Sequence, residues 1–219
     1  ATTQAFAITP STISTSTSLI TVTGSTVTSG SSVTLRLTAK DQYGNALSSG
    51  GSTVVFGTSG GSSTGVIGTT TDLGTGVYEA TFTGLVAGSA TSITATIGGQ
   101  AVTTSSPTIT VVPGAATELV VSTEPSASVV AGAAFGVGVT ARDANHNAVS
   151  SFAGNISIAI GTNAGGTGVM SGTATVAAVS GVATFSDLSL DKVGAGYTLV
   201  ASSGGLSSAT TQGFSVVPA

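Results

Sequence analysis

Three polar residues in the second half of the chain have the spacing of calcium ligands. Asp143, Asn145 and Asn147 occupy alternate positions, as do the first three ligands of a calcium-binding loop. Such a loop also needs a glycine at its sixth position and a glutamate at its twelfth, where this chain has Ala148 and Gly154. The same residue types are typical of a turn in which an Asp side chain bonds the backbone that follows it. We therefore expect a capped turn and no cofactor, with calcium as the alternative.

Residues that could carry out catalysis are scarce. The chain has no Cys and no Trp, and His146 is its one histidine. A nucleophile needs a base that a third group holds in place, and no such group is evident around this histidine in the sequence. We interpret Asp187 and Asp191 as solvated turn residues and not as partners of Asp143. The sequence therefore predicts a protein that is not an enzyme.

The composition excludes several partners. Only 5% of the 219 residues are charged and the net charge is −4, so the basic stripe of a nucleic-acid-binding protein is absent. The longest apolar run, around residues 127–139, contains several glycines and is shorter than the roughly 18–20 residues of a membrane-spanning helix. We expect no nucleic acid as partner and no membrane span in this segment. A nearly uncharged surface instead favours packing against copies of the same protein or against neighbouring repeats.

The elements that carry these residues occur twice along the chain. Residues 35–49 and 137–151 align without a gap, with alternating apolar residues followed by Thr-Ala, a basic residue, an Asp and an Asn. Val and Thr dominate the alternating segments, and both favour strands. About seven short strands per repeat, separated by turn signals, are typical of an immunoglobulin-like β-sandwich. We predict an all-β fold with two tandem immunoglobulin-like β-sandwich domains in line, plus an extra N-terminal strand.

The ends of the repeats predict the domain boundaries. Each repeat closes with an alternating strand that ends in Val-Val-Pro, at residues 111–113 and 216–218. Pro ends a strand and Gly frees the chain to turn. We expect one domain at residues 11–113 and a second at residues 114–219, preceded by a strand-like segment at residues 1–10. The predicted domain junction consists of Val112, Pro113 and Gly114.

The first residues of the chain are similar to its last ones. The segments TTQAFAITP, at residues 2–10, and TTQGFSVVP, at residues 210–218, share one strand pattern. The first segment either closes a preceding domain of a longer array or is donated to the sheet of a neighbouring subunit. The residues of this predicted assembly strand are Thr2, Thr3, Gln4, Ala5, Phe6, Ala7, Ile8 and Thr9. Those of the predicted closing strand are Thr210, Thr211, Gln212, Phe214, Val216 and Val217.

Two motifs of the first repeat resemble a known family. DQYGN at residues 41–45 and TDLGTGVYEATF at residues 71–82 resemble the bacterial immunoglobulin-like domains of the invasin and intimin type. The second repeat, through GVATFSDLSLDKVGAGYTL at residues 181–199, is similar to the repeats of very large bacterial surface proteins. The resemblance implies a spacer that holds an adhesive tip away from the cell. The second repeat departs from the pattern at His146, where the first has Gly44, because glycine readily adopts the positive φ that such a turn can require.

Two functions are therefore expected. The first is a structural segment of an extracellular fibre, stalk or pilus-like filament, at the cell surface or secreted, in which the N-terminal strand is a means of assembly. The alternative is an adhesin binding module that recognises a surface or a polysaccharide through loops such as residues 59–65 and 162–168. Aromatic residues and Arg usually anchor recognition, and their scarcity favours the structural role.

Overall fold

The computed structural model describes residues 9–219, which form two compact units. Unit 1 ends at Val112, and unit 2 runs from Pro113 to Ala219, so the break falls one residue before the predicted boundary. The described residues form strands and turns and no helix, and hence none that could cross a membrane. The predicted all-β, immunoglobulin-like fold is confirmed. The predicted assembly strand lies outside the described residues from Thr2 to Ile8, and Thr9 belongs to no strand.

Unit 1 is a sandwich of two sheets. Its strands are β1 Ile13–Val22, β2 Thr26–Thr28, β3 Ser32–Asp41, β4 Val54–Ser59, β5 Thr64–Ile67, β6 Thr71–Asp72, β7 Val77–Val86, β8 Thr91–Ile97, β9 Gln100–Ala101 and β10 Thr108–Val112. One sheet has the order β1-β3-β7-β5, with β6 also on β7, and the other has the order β2-β10-β8-β4, with β9 also on β8. Strand β10 runs parallel to β2 and antiparallel to β8.

Unit 2 repeats this plan with some strands divided. Its strands are β11 Glu118–Thr123, β12 Ser128–Val130, β13 Phe135–Arg142, β14 Asn155–Ile160, β15 Met170–Ser171, β16 Thr175–Ala177, β17 Val182–Leu190, β18 Gly194–Tyr197, β19 Leu199–Ser202, β20 Ala209–Thr210 and β21 Phe214–Val217. One sheet has the order β11-β13-β17-β15. The other strands form two smaller sheets, β12-β21-β18 and β16-β14-β19-β20.

Alternation of side chains builds the core of each unit. Strand β8 reads TSITATI, and its residues are alternately buried and half-buried, as expected of a strand with one face toward a second sheet. The largest side chains that are fully enclosed include Leu35, Phe82 and Ile109 in unit 1 and Phe185 and Leu199 in unit 2. Burial of each such side chain contributes about 1.5–3 kcal/mol relative to its exposure.

The predicted closing strand is divided in the structure. Thr210 ends β20, which pairs with β19, whereas β21 begins at Phe214 and pairs with β12 and β18. The reason lies at Thr211, whose side-chain oxygen accepts the N–H of Leu199 at 2.9 Å. This bond replaces a backbone acceptor of a regular ladder. The chain then leaves one small sheet and enters the other.

Candidate functional site

The turn after β3 in unit 1 is organised by one carboxylate. Asp41 is 1% exposed, and its Oδ1 accepts the backbone N–H groups of Tyr43 and Asn45, both at 2.9 Å. Its Oδ2 accepts the side-chain amide of Asn45 at 3.1 Å and the backbone N–H of Ser11 at 3.0 Å. The carboxylate therefore caps the turn and also fastens the chain just before β1.

The turn after β13 in unit 2 is built in the same way. Oδ1 of Asp143 accepts the backbone N–H groups of Asn145 and Asn147, both at 2.9 Å. Oδ2 accepts the N–H of Gly114 at 2.8 Å and the side-chain amide of Asn147 at 3.0 Å. We call the two arrangements the entry clamps, meaning Asp41 with Ser11 and Asn45 in unit 1, and Asp143 with Gly114 and Asn147 in unit 2.

Hydrogen bonds set the protonation of both carboxylates. Burial raises the pKa of Asp41, but hydrogen bonds from Asn45, Ser11 and Tyr43 outweigh it and lower the pKa to about 2. For Asp143, burial also raises the pKa, and the bonds from Gly114 and from the turn lower it further than burial raises it. Donors that point at a carboxylate favour its charged form, so both clamps are stable as anions.

The capped turn predicted from Asp143, Asn145 and Asn147 is present. Asn147 directs its amide nitrogen at Asp143, so that the two side chains bond each other. Asp187 instead accepts two bonds from Thr173, and Asp191 accepts the N–H of Val169. Within residues 9–219, no group of three or more His, Cys, Asp or Glu side chains is arranged to hold a metal ion.

His146 occupies the turn position of unit 2 at which unit 1 has Gly44. Its φ is 65°, in the left-handed region, and that of Gly44 in unit 1 is 84°. The N–H of His146 bonds the carbonyl of Asp143 at 3.0 Å, as the N–H of Gly44 bonds that of Asp41. The His146 Nδ1 also lies 2.6 Å from Oε1 of Glu118. The turn is therefore kept although a residue with a side chain occupies it.

The last strand of each unit is held beside an early strand by matched bonds. In unit 1 the N–H of Thr110 bonds the carbonyl of Ser25, and the N–H of Ser29 bonds the carbonyl of Val112. In unit 2 the N–H of Ser215 bonds the carbonyl of Ala127, and the N–H of Ala131 bonds the carbonyl of Val217. These bonds flank the parallel pairs β2–β10 and β12–β21. We call each set a parallel bracket.

The three predicted junction residues have different roles. The carbonyl of Val112 belongs to the bracket of unit 1, and the N–H of Gly114 belongs to the clamp of unit 2. Pro113, which has no N–H to donate, stands between them in the sequence. One residue therefore separates the last bracket residue of unit 1 from the first clamp residue of unit 2.

Sequence reasoning missed the backbone donors of the clamps. Ser11 and Gly114 contribute only an N–H group, and they lie 30 and 29 positions before their Asp. The available signal was their matched position, since each directly follows a proline, Pro10 or Pro113.

A cleft opens in the surface of unit 2. Its volume is about 600 Å³, and it opens where the chain crosses from β11 to β12 beside the start of β13. Glycines at Gly136 and Gly138 form part of its wall, with Phe135, Glu124 and Thr184 nearby. Neither of the loops proposed for recognition, residues 59–65 and 162–168, lines this cleft.

Comparison with known proteins finds a family similar to the first unit. Residues 8–114 match the family described as Invasin, domain 3. This part of the chain is similar to the domains of that family. No curated protein matches the chain. The matched residues include the entry clamp of unit 1 and its two parallel strands, β2 and β10.

Solved structures of adhesins share the fold over nearly the whole chain. The structure of FdeC, an Escherichia coli adhesin, is 24% identical with a TM-score of 0.50, and it covers 97% of this chain and 67% of its own. The structure of invasin, described as a bacterial integrin-binding protein, is 20% identical with a TM-score of 0.50, and it covers 94% of this chain and 41% of its own. Neither of these two proteins is described as an enzyme, and neither is the matched family.

Proposed function

We propose that the chain is a structural segment of a cell-surface or extracellular adhesin, in which tandem invasin-type domains act as a spacer. Such a segment must keep its length when its two ends are pulled apart. Its partners would be neighbouring repeats, and its surface carries a net charge of only −4. The function therefore depends on how each unit holds the strands nearest its ends.

The parallel brackets are the observation that carries this proposal. Strands β2 and β12 lie near the start of their units, while β10 and β21 lie at the end, and each pair is parallel. Tension between the two ends of a unit draws two parallel strands in opposite directions. All hydrogen bonds of the pair are then loaded together and do not break one after another. Both units have this geometry, with the same flanking bonds.

The entry clamps support the same role. Each fastens the first residues of its unit to a buried turn at the end of β3 or β13. Tension that enters at Ser11 or Gly114 therefore meets a charge-assisted hydrogen bond before it reaches the strands, and such bonds are roughly twice as strong as neutral ones.

Strand donation is the variant of this function that the geometry supports less. The segment at residues 2–9 has the pattern of a closing strand. To pair with a neighbouring subunit in that role, it would need a sheet whose own closing strand is missing. In the described part of the chain both such positions are filled, by β10 and by β21. We therefore favour a continuous array of domains over a filament of subunits joined by donated strands.

Force spectroscopy on single molecules tests the spacer function. In the Ala131→Pro variant the N–H that bonds the carbonyl of Val217 is removed, because proline has no such donor. We expect unit 2 to unfold at a lower force, while unit 1 of the same molecule keeps its force. The Ala131→Ser variant keeps the N–H and should behave as the unchanged chain. An equal force in all three proteins would refute a load-bearing bracket.

The alternative function, a binding module, is supported by the cleft beside β13. Its lining combines apolar residues such as Phe135 and Val137 with hydroxyl-bearing ones such as Ser126, and this mixture is typical of small-ligand sites. Binding to an array of glycans that is lost in a Gly138→Val variant would favour this alternative over the spacer.

A further inference from the structure

Strand β4 is an open edge of unit 1. It ends the sheet order β2-β10-β8-β4, and in the described part of the chain it pairs with β8 alone. In an antiparallel pair every second residue turns its N–H and C=O groups away from its partner. These groups on β4 therefore form a row along the edge of the sheet that can bond another strand.

The corresponding edge of unit 2 is covered. Strand β14 occupies the place of β4, and it pairs with β19 on one side and with β16 on the other. The residues between β4 and β7 of unit 1 form β5 and β6 instead, and both of these pair with β7. The open edge is therefore specific to unit 1 and is not a general property of the fold.

Other edges of the described structure carry features that oppose pairing. Strands β1, β5, β11 and β18 each have a register shift against their neighbour, and such irregularities disturb an edge. The remaining strands at the ends of sheets have two or three residues. Strand β4 has six residues in unbroken register with β8.

The side chains of β4 also present no obstacle to a second strand. Residues 50–61, which include the strand and its flanks, contain no charged residue and no proline, although natural edges commonly carry such residues to prevent association. Val55 on the outward face is 57% exposed, and Thr58 and Ser59 are exposed too. Within the described residues β4 is the edge strand that is uncharged, long and free of register shifts, so a second copy offers a strand that matches it in length and regularity.

We propose that β4 is a lateral interface between two copies of this chain. The two β4 strands run antiparallel about a two-fold axis, an isologous contact in which each copy presents the same surface. The sheet of one copy then continues into that of the other. This contact is independent of the spacer function, because it links chains side by side and leaves both brackets in place.

The contact is expected to be weak in solution. Six residues on each side bury much less than the roughly 800 Å² per partner of a stable interface. Many copies on one surface would raise the effective concentration of β4 and so increase the fraction of chains that are paired. Because neither strand is charged, its strength should change little with salt.

Analytical ultracentrifugation of the full chain up to about 1 mM, where a contact worth about 4 kcal/mol is half formed, tests the proposal. The mass should rise above 20.6 kDa with concentration. Val55→Lys places two like charges near each other across the axis, and it should hold the mass at that of one chain. Thr58→Lys should act likewise. Val66→Lys is the matched control, since Val66 is 58% exposed on β5, and it should associate as the unchanged chain does.

Three results would overturn the inference. The first is a constant mass of the unchanged chain over the whole concentration range. The second is association of Val55→Lys and Thr58→Lys as strong as that of the control. The third is loss of association on removal of residues 1–9, which would make that segment the occupant of the edge. Circular dichroism of each variant verifies that its sheets are intact.

Discussion

The two units agree where the chain enters and leaves them and differ in between. The bonds of both entry clamps lie between 2.8 and 3.1 Å, and both parallel brackets use the same four positions. The segment that follows the fourth strand of each unit, β4 or β14, is different. In unit 1 it stays on β7, while in unit 2 it first pairs with β17 and then crosses to β14. The two units therefore share the bonds that hold their first and last strands, and they differ in the strands that line the sheet edges.

The cores of the two units also differ in where they place large side chains. Tyr78 lies opposite Leu37, where unit 2 has Ala183 opposite Val139. Two positions further along, unit 1 has Ala80 and unit 2 has Phe185. The large and the small side chain have therefore exchanged places along this strand between the two units. Cores tolerate such exchanges when total volume is conserved, so the difference leaves the fold unchanged.

The largest effect is expected from loss of a clamp carboxylate. Asp143→Ala leaves the N–H groups of Gly114, Asn145 and Asn147 without their acceptor, and we expect unit 2 to lose about 3 kcal/mol of unfolding free energy. Unit 1 should be unaffected. Hydrogen exchange of the full chain in increasing urea, read by mass spectrometry, reports each unit separately.

A matched variant separates this effect from the loss of any carboxylate. Asp187 also accepts two hydrogen bonds, but it is exposed. Asp187→Ala should therefore cost unit 2 about 1 kcal/mol or less. Equal losses in the two variants would mean that the clamp is no more than an ordinary surface turn.

Acid should weaken both clamps. The pKa of folded Asp41 is about 2, below the ordinary 3.8, and that of Asp143 is lowered as well. A depressed pKa stabilises the folded state above the unfolded value, and this stability is lost as pH falls toward the folded value. The melting temperature should therefore drop between pH 4 and pH 2. In an Asp41→Asn, Asp143→Asn double variant this drop should be shallower. The same slope in both proteins would exclude the clamps as its source.

Much of the fold could be predicted because it depends on local patterns. Alternation of Val, Ile and Thr predicts strands, and Asp followed by Asn at the fourth position predicts a capped turn. The predicted seven strands per repeat become ten and eleven elements, because single strands such as the closing one divide between sheets.

The rest depends on contacts that sequence patterns do not encode. The donors from Ser11 and Gly114 are backbone groups, which any residue except proline supplies. Strand β16 has three residues, too few for their alternation to predict which of two sheets they join. For the same reason the open edge of β4 could not be predicted, since it depends on where another segment goes.

Substitutions at one turn position, Gly44 in unit 1 and His146 in unit 2, should change the unfolding free energy by a smaller amount. Gly44 has open space around it, so Gly44→Ala acts through its positive φ and should cost unit 1 about 1 kcal/mol. His146→Gly relieves the same strain but loses the contact with Glu118. We expect unit 2 to gain about 0.5 kcal/mol, because a hydrogen bond to a side chain as exposed as that of His146 contributes little. If His146→Gly instead destabilised unit 2, the contact with Glu118 would be what holds the turn.

The smallest effect is expected at an ion pair between two neighbouring strands of unit 1. Arg36 lies 2.7 Å from Glu79, with 52% and 28% of the two side chains exposed, while unit 2 has Gly138 and Thr184 at the paired positions. A double-mutant cycle with Arg36→Ala and Glu79→Ala should give a coupling below about 0.5 kcal/mol, reduced further by salt. Unit 2 folds with no charge at these positions, so the pair is not needed for the fold. A coupling above about 1 kcal/mol would exceed what exposed pairs contribute, and the outer face of this sheet would then differ between the units in stability as well as in charge.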